Sequence, residues 1–105
     1  MVKVLSWNVN GLGMVAKRNW VKRFVKENRI SFLCLQETKL SINQNWGVGS
    51  IWGSKQVDFV TLDAVGMSSG ILTAWDRSSF IPTKSDKQEG FVAVLGVWLS
   101  NKSAL

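Results

Sequence analysis

Two short polar segments, each directly after an apolar run, constrain the fold of this chain more than any other feature. They are Ser6-Trp7-Asn8-Val9-Asn10-Gly11-Leu12-Gly13 and Leu35-Gln36-Glu37-Thr38-Lys39. The apolar runs before them are typical of strands, and a helical pattern separates the two segments. Because a strand, a helix and a second strand in succession predict parallel neighbouring strands, Asn8 and Glu37 should lie side by side at one rim of a sheet.

The helix between these strands is predicted to span Lys17 to Asn28, with an apolar face and a basic exterior. A run of basic residues of this kind is most often a solvent-exposed helix face. The alternative, more specific interpretation is that this face contacts nucleic acid directly. The apolar positions are Trp20, Val21, Phe24 and Val25, and the basic ones are Lys17, Arg18, Lys22, Arg23, Lys26 and Arg29.

The second half of the chain predicts further strands that form an antiparallel meander. Strands are expected around residues 55–62, at Gly70–Trp75 and at Phe91–Leu99, and a polar stretch with the only proline, Pro82, separates the last two. Residues 41–54 are polar and glycine-bearing, which predicts a loop. Because the sequence stops soon after a strong strand, we expect an interrupted domain.

Composition limits the class of protein. With 105 residues, 46% apolar and 19% charged, the chain is at most one globular domain rather than a disordered protein. A net charge of +6 favours polyanionic partners such as nucleic acid. The single cysteine, Cys34, excludes an internal disulfide and is expected to be buried. Neither a signal peptide nor a membrane-spanning run is recognisable, so we expect a soluble intracellular protein without a membrane partner.

The two polar segments join an amide to a carboxylate, a pair that suits a hard divalent cation and a phosphate group better than an apolar ligand. Two plainer interpretations remain open. Glu37 could be solvated or paired with Lys39, and Asn8 could be a turn residue whose side chain binds its own backbone two residues further on.

The tryptophans divide into two groups by their sequence surroundings. Trp7, Trp20, Trp75 and Trp98 fall on apolar patterns and are expected in the core. The candidates for stacking on nucleic-acid bases are Trp46 and Trp52, which lie in the polar loop segment.

A dinucleotide-binding turn is the alternative from another functional class. Gly11-Leu12-Gly13-Met14-Val15-Ala16 has the spacing of the glycine-rich turn between strand and helix, and Glu37 ends the next strand, where a ribose-binding acid belongs. Against this interpretation, the polar pair Trp7-Asn8 precedes the turn, and Lys17 and Arg18 open the helix where close packing is expected. The strand and helix alternation also stops in the second half.

The segment Ser6–Leu12, the basic helix and the segment Phe32–Lys39 together resemble the start of the endonuclease/exonuclease/phosphatase superfamily, and most of all its apurinic-type endonucleases. Gly70–Trp75 and the strand ending in Val97-Trp98-Leu99 are similar to the endonuclease domain of plant LINE-type retrotransposon polyproteins. The resemblance implies that residues 1–105 form only part of such a domain. It implies the N-terminal portion of a four-layered α/β sandwich (DNase I-like), truncated, with a phosphodiesterase site at the strand ends.

The resemblance also implies roles for four residues. Glu37 would be the metal-binding carboxylate, and Asn8 would position the catalytic aspartate or the scissile phosphate. Asn10 stands where some relatives carry a metal-binding aspartate, so an amide there would weaken a second cation site. Lys39 would lie near the phosphate or hold Glu37. The implied cofactor is Mg²⁺ or Mn²⁺, bound weakly or not at all by the fragment, and the implied partner of the full domain is DNA, which would place the full protein in the nucleus.

The departures from the family pattern bear on activity. Family members also supply a tyrosine in a strand, an Asp-x-Asn segment and a terminal Ser-Asp-His, whereas this sequence has no tyrosine and no histidine. The missing groups are worth about 10²- to 10⁴-fold each. We therefore expect a retroelement-type DNA endonuclease fragment that is inactive alone, and the alternative is a non-catalytic relic that binds nucleic acid weakly. The substrate of the full domain stays open among target-site DNA, abasic DNA, RNA and a phosphoinositide.

Overall fold

The computed structural model describes residues 2–40, 47–53, 56–64, 69–88 and 91–99 of the chain. Four strands form one sheet, here called the main sheet, in the order β1-β2-β4-β3, and β5 and β6 form a second, small sheet. The elements are β1 (Val4–Asn8), α1 (Val15–Asn28), β2 (Phe32–Gln36), a 3₁₀ turn (Val48–Ser50), β3 (Val57–Leu62), β4 (Ile71–Asp76), β5 (Phe80–Gln88) and β6 (Phe91–Trp98).

The β1-α1-β2 unit has the arrangement predicted from the sequence. β1 and β2 are parallel neighbours, paired in register from Val4 opposite Phe32 to Asn8 opposite Gln36. β4 pairs antiparallel with β2 on one side and with β3 on the other. Because β1 ends at Asn8 and β2 ends at Gln36, both polar segments leave the main sheet at the same rim.

Helix α1 covers one face of the main sheet and begins at Val15, slightly before the predicted Lys17. The helix ends at Asn28. Arg29 follows with a left-handed backbone, and its N–H donates a hydrogen bond to the Lys26 carbonyl, which closes the last turn. Among the described residues no helix is long and apolar enough to cross a bilayer. The core between helix and sheet contains Val9, Leu12, Val21, Val25, Leu33, Leu35, Leu40, Ile51, Trp52, Leu72 and Ala74.

The small sheet packs on the opposite face of the main sheet through aromatic rings. Phe80 contacts Phe32 edge-on at 5.2 Å between ring centroids and Trp98 at 4.9 Å, while Phe32 stacks on Trp75 at 5.8 Å. The described residues therefore form three layers, the helix, the main sheet and the small sheet. This arrangement agrees with part of the expected sandwich, and within the described ranges no second helical layer is present.

The second half differs from the predicted antiparallel meander in two ways. The polar stretch around Pro82 is itself strand β5, and β4 lies between β2 and β3 instead of at the end of a meander. β5 was missed because it is exposed from Ile81 to Gln88 and so lacks an alternating apolar pattern. A proline is tolerated there because the register with β6 is irregular between Pro82 and Lys84.

Strand β2 is less enclosed than its continuous apolar sequence predicts. Leu33 and Leu35 are fully buried on the helix side, whereas Phe32, Cys34 and Gln36 on the other side are half-buried. Burial raises the pKa of the Cys34 thiol, and a hydrogen bond with the Thr73 side chain opposes that rise. At neutral pH Cys34 is therefore a protonated thiol.

The chain beyond β2 stays bonded to the residues that lead into β4. Thr38 donates its N–H to the Gly70 carbonyl at 3.1 Å, and Lys39 donates to Ser69 at 2.6 Å. Gly70 is buried and has a φ of 93°, a conformation that favours glycine. A β-carbon on Gly70 would collide with the Thr38 hydroxyl oxygen and approach the Lys39 nitrogen to 3.3 Å.

Replacing Gly70 by alanine should lower the free energy of unfolding by about 1–3 kcal/mol. The positive φ is strained for alanine, and its methyl group would also collide with neighbouring atoms. Urea denaturation followed by tryptophan fluorescence measures the loss. Gly13→Ala is the matched control, since no heavy atom lies within 4 Å of the place that its methyl group would take. Equal destabilisation by the two substitutions would contradict the argument.

Replacing Phe80 by leucine should loosen the small sheet before the main sheet, because the Phe80 ring contacts both Phe32 and Trp75 of the main sheet. We expect the amides of β5 and β6 to exchange with solvent roughly tenfold faster, with β2 little changed. Hydrogen exchange read by mass spectrometry measures this, and the exposed neighbour Ile81 provides the control substitution Ile81→Ala. Uniform acceleration in both sheets would show that they unfold as one unit.

Candidate active site at the ends of β1 and β2

The backbone pairing of β1 and β2 continues past the ends of both strands. Val9 donates its N–H to the Gln36 carbonyl at 3.0 Å, Gly11 donates to Glu37 at 2.7 Å, and Leu12 donates to Thr38 at 2.9 Å. The residues after β1 therefore run alongside the residues after β2. Both polar segments are held by main-chain bonds and not only by their side chains.

Three of the predicted site residues have left-handed backbones. Asn10 has a φ of 50°, Glu37 of 54° and Lys39 of 56°. A residue other than glycine in this conformation costs about 1–3 kcal/mol and persists only where the surroundings enforce it. Main-chain bonds on both sides of residues 37–40 supply that enforcement for Glu37 and Lys39, and the bonds of Val9 and Gly11 supply it for Asn10.

Asn8 and Glu37 lie side by side, as expected. The Asn8 Nδ2 donates a hydrogen bond to the Glu37 Oε2. The Asn8 Oδ1 accepts the Asn10 N–H at 3.2 Å, which is the turn contact of the plainer interpretation. The turn contact of Asn8 and its contact with the carboxylate therefore coexist, because one end of its amide closes the turn and the other end binds Glu37.

Lys39 contacts Asn10 instead of Glu37. Its Nζ donates to the Asn10 Oδ1 at 2.8 Å. The structure shows no ion pair between Glu37 and Lys39, both of which are described, so the suggested pairing of the two is wrong. The ammonium group of Lys39 nevertheless lies at the same rim, where it adds positive charge beside the Asn8–Glu37 pair.

Two basic residues at the start of α1 bind the loop after β1, a role that the sequence did not reveal. The Lys17 Nζ donates to the Val9 carbonyl at 2.6 Å. The Arg18 Nη1 donates to the carbonyls of Leu12 at 2.8 Å and Gly13 at 2.9 Å. Since carbonyl acceptors of a loop carry no sequence signature, only the structure could identify these contacts.

The donor set at this rim fits a weakly held Mg²⁺. Asn8 contacts one oxygen of the half-buried Glu37 carboxylate, and a carboxylate has lone pairs for more than one partner. Within the part of the chain that the structure describes, no three acidic, thiol or imidazole side chains cluster. Mg²⁺ characteristically takes one or two carboxylates and completes its shell with water and substrate phosphate. Asn10 is a poorer ligand than Glu37 because its side chain is neutral and its oxygen lies beside the positively charged Lys39 ammonium.

The dinucleotide-binding alternative does not fit this geometry. In that motif, backbone N–H groups of the glycine-rich turn are free to bind a pyrophosphate. Here the N–H groups of Gly11 and Leu12 donate to Glu37 and Thr38, and Arg18 occupies the carbonyls of Leu12 and Gly13. The turn is therefore part of the sheet edge and offers no phosphate cradle at these amides.

The structure reverses the predicted roles of several tryptophans. Trp52 is only 5% exposed and lies in the core, so the prediction that it stacks on bases is wrong. Trp46, the other candidate, lies outside the described residues. Trp20 is 58% exposed and Trp98 is 37% exposed, although both were expected in the core. Trp20 is exposed because Val21 and Val25 occupy the centre of the buried helix face, which leaves Trp20 on its flank.

Comparisons with known proteins bear on the fold of the chain. No family model matches the sequence. An exodeoxyribonuclease of Bacillus subtilis (strain 168) is 42% identical over 43 residues, which are 41% of this chain and 17% of that protein. This match links the chain to a nuclease at the level of sequence.

Two solved structures of AP endonucleases share the fold. The enzyme LMAP from Leishmania major superposes with a TM-score of 0.55 and 29% identity, over 73% of this chain and 24% of that one. The catalytic domain of APE2 from Xenopus laevis gives a TM-score of 0.56 at 20% identity, over 82% of this chain and 26% of that one. The chain thus spans about a quarter of the length of each structure. These matches confirm the resemblance to the endonuclease/exonuclease/phosphatase superfamily, with AP endonucleases as structural neighbours and a mixed α/β fold of DNase I type.

Proposed function

We propose that this chain carries the Asn8–Glu37 part of a Mg²⁺-dependent phosphodiesterase site that belongs to a DNA endonuclease domain. The observation that carries the proposal is the Asn8–Glu37 hydrogen bond at adjoining strand ends, in a fold shared with AP endonucleases. The net charge of +6 supports a polyanionic substrate. Target-site DNA of a retroelement is the substrate that the likeness to plant LINE-type endonucleases favours, which also implies action in the nucleus.

Each side chain has a distinct part in the proposed site. Glu37 would hold the cation against a non-bridging phosphate oxygen, and Asn8 keeps the Glu37 carboxylate turned toward the rim by donating to Oε2. Lys39 would attract the phosphate, while its bond to Asn10 at 2.8 Å holds the ammonium at the rim. The cation, when bound, neutralises charge on the phosphate.

We also propose that these 105 residues alone do not hydrolyse DNA and correspond to a fragment of the full domain. The sequence has no histidine, the side chain best suited to proton transfer near neutral pH. Glu37 is the carboxylate at the described rim that is held by another site residue. A single carboxylate can anchor a cation but cannot also activate water and protonate the leaving group.

Divalent-cation binding tests the role of Glu37 directly. Mn²⁺ added to the isotope-labelled protein should broaden the NMR signals of residues 8–11 and 37–39, and Glu37→Gln should abolish this effect because it removes the anionic ligand. Asn8→Ala should weaken Mn²⁺ binding about 10- to 100-fold, because it removes the group that orients the carboxylate.

Glu27→Gln is the matched control, since Glu27 is an exposed glutamate on α1 paired with Arg23 at 3.7 Å. It should leave the broadening unchanged. Broadening that persists in Glu37→Gln, or that moves to the helix, would contradict the proposed cation site and favour the non-catalytic relic.

A nicking assay tests the proposed lack of activity. The chain should convert no supercoiled plasmid to the open circular form in the presence of Mg²⁺, because the groups that activate water and stabilise the transition state are missing. Agarose electrophoresis measures the conversion. Nicking that requires Mg²⁺ and disappears in Glu37→Gln would show that the chain is catalytic by itself.

A further inference from the structure

The peptide unit between Val9 and Asn10 is held at both of its polar groups. Its carbonyl oxygen accepts a hydrogen bond from the Lys17 Nζ at 2.6 Å. Its N–H donates to the Asn8 Oδ1 at 3.2 Å. Lys17 is half-buried at the start of α1, so its ammonium group is not a freely solvated cation. This peptide unit therefore connects helix α1 to a residue of the candidate site.

Asn8 extends this connection to the Glu37 carboxylate. Its Nδ2 donates to the Glu37 Oε2, while its Oδ1 accepts from Asn10. The hydrogen bonds therefore run in one direction, from the Lys17 ammonium through a peptide unit and a side-chain amide to the carboxylate. Such a chain is cooperative, because an acceptor that is polarised makes the donor in the same group stronger. The charged donor at its start strengthens the first bond further.

The chain determines which end of the Asn8 amide faces Glu37. A carboxylate only accepts hydrogen bonds, and a backbone N–H only donates them. Rotating the Asn8 amide by half a turn would set its oxygen against Glu37 and its NH₂ against the Asn10 N–H, so both bonds would be lost. Lys17 supports the favourable orientation, because it holds the Val9–Asn10 peptide unit whose N–H meets Asn8. The left-handed backbone of Asn10, with a φ of 50°, is unfavourable by itself and depends on such contacts.

Two other basic residues of α1 provide comparisons. Arg18 donates to the carbonyls of Leu12 and Gly13, which lie beyond Asn10 in the same loop. Lys26 is exposed near the other end of the helix, about 13 Å further along its axis. Loss of the Arg18 side chain therefore loosens the loop without touching the chain to Glu37, and loss of the Lys26 side chain removes a charge without touching the loop.

We propose that Lys17 is a positioning residue of the candidate cation site and acts on Glu37 through the Val9–Asn10 peptide unit and Asn8. This inference rests on the proposed function, in which Glu37 is the cation ligand. The Lys17 ammonium donates to a loop carbonyl and touches neither the cation nor the phosphate. It keeps the Asn8 amide in the orientation that orders the Glu37 carboxylate before the cation binds. A ligand that is already ordered loses less conformational freedom on binding.

The effect of charge alone has the opposite sign. A positive charge near a cation site repels the cation, so removal of the Lys17 charge by itself should tighten cation binding. Loss of a positioning contact should weaken it. At a salt concentration of about 0.15 M, charges more than about 8 Å apart are largely screened, which keeps the repulsion small. The direction of the change in affinity therefore separates a positioning role from a charge effect.

The test measures Mn²⁺ affinity from the broadening of the NMR signals of residues 8–11 and 37–39 in the full chain. Lys17→Met keeps a long unbranched side chain without the ammonium group and should weaken Mn²⁺ binding about 3- to 10-fold. Lys17→Arg keeps a charged donor and should retain most of the affinity. Arg18→Met and Lys26→Met should each change the affinity less than about twofold.

A double-mutant cycle shows whether Lys17 acts through Asn8. In Asn8→Ala the chain of hydrogen bonds is already broken, so the addition of Lys17→Met should weaken Mn²⁺ binding by less than about twofold more. Lys17→Met that weakens binding equally with Asn8 present and with Asn8→Ala would act by another route, which overturns the proposal.

The thermal melt of each variant is recorded first, so that affinities are compared only between folded proteins. Weaker Mn²⁺ binding in Lys17→Met, with Lys17→Arg, Arg18→Met and Lys26→Met near the original affinity, supports the proposal. Unchanged or tighter binding in Lys17→Met overturns it, and so does an equal loss in Arg18→Met.

Two further variants keep the outcome clear. If Lys17→Met does not fold, Lys17→Gln replaces it, since glutamine keeps a donor without the charge. Unchanged NMR signals of the Asn10 backbone amide and the Asn8 side-chain amide in Lys17→Gln then overturn the proposal. Broadening that persists in Glu37→Gln overturns the proposed cation site together with the role of Lys17. Broadening that is lost in Glu37→Gln but is unaffected by Lys17→Met overturns the role of Lys17 alone.

Discussion

The parallel pairing of β1 with β2, carried beyond both strands by main-chain hydrogen bonds, is the constraint on which the candidate site depends. It places Gly11 opposite Glu37 and Leu12 opposite Thr38, and it holds the left-handed backbone of Glu37. The Asn8–Glu37 contact is a consequence of this pairing. Side chains on two rigid, bonded strand ends keep their positions better than side chains on free loops, which suits a site that binds a cation and a phosphate.

Local sequence patterns were sufficient to predict the β1-α1-β2 unit and the meeting of Asn8 with Glu37. Both follow from two apolar runs, one helical period and the rule that such strands are parallel neighbours. Strand β5 was missed because its exposed residues show no alternation of apolar and polar types. The placement of β4 between β2 and β3 depends on long-range pairing, for which the chain has no local signal.

The roles of individual charged and aromatic residues were harder to predict than the fold. From the sequence Lys17 and Arg18 were expected to be solvated cations, yet both donate hydrogen bonds to loop carbonyls. This role could not be predicted, because nothing in a sequence marks a carbonyl that needs a donor. Trp52 was expected at the surface and lies in the core, whereas Trp20 was expected in the core and is exposed. A difference of one position in a helix, between Trp20 and Val21, turns a side chain by about 100° and moves it from the core to the flank.

The two edges of the small sheet differ in a way that limits self-association. Along β5, Lys84, Asp86, Lys87 and Pro82 oppose the addition of another strand, whereas β6, from Phe91 to Trp98, carries no charge at all. Continuous fibre growth needs an open edge on both sides of each added sheet. Since the charged residues and the proline of β5 oppose an added strand, a strand that paired with β6 would not be followed by another at β5.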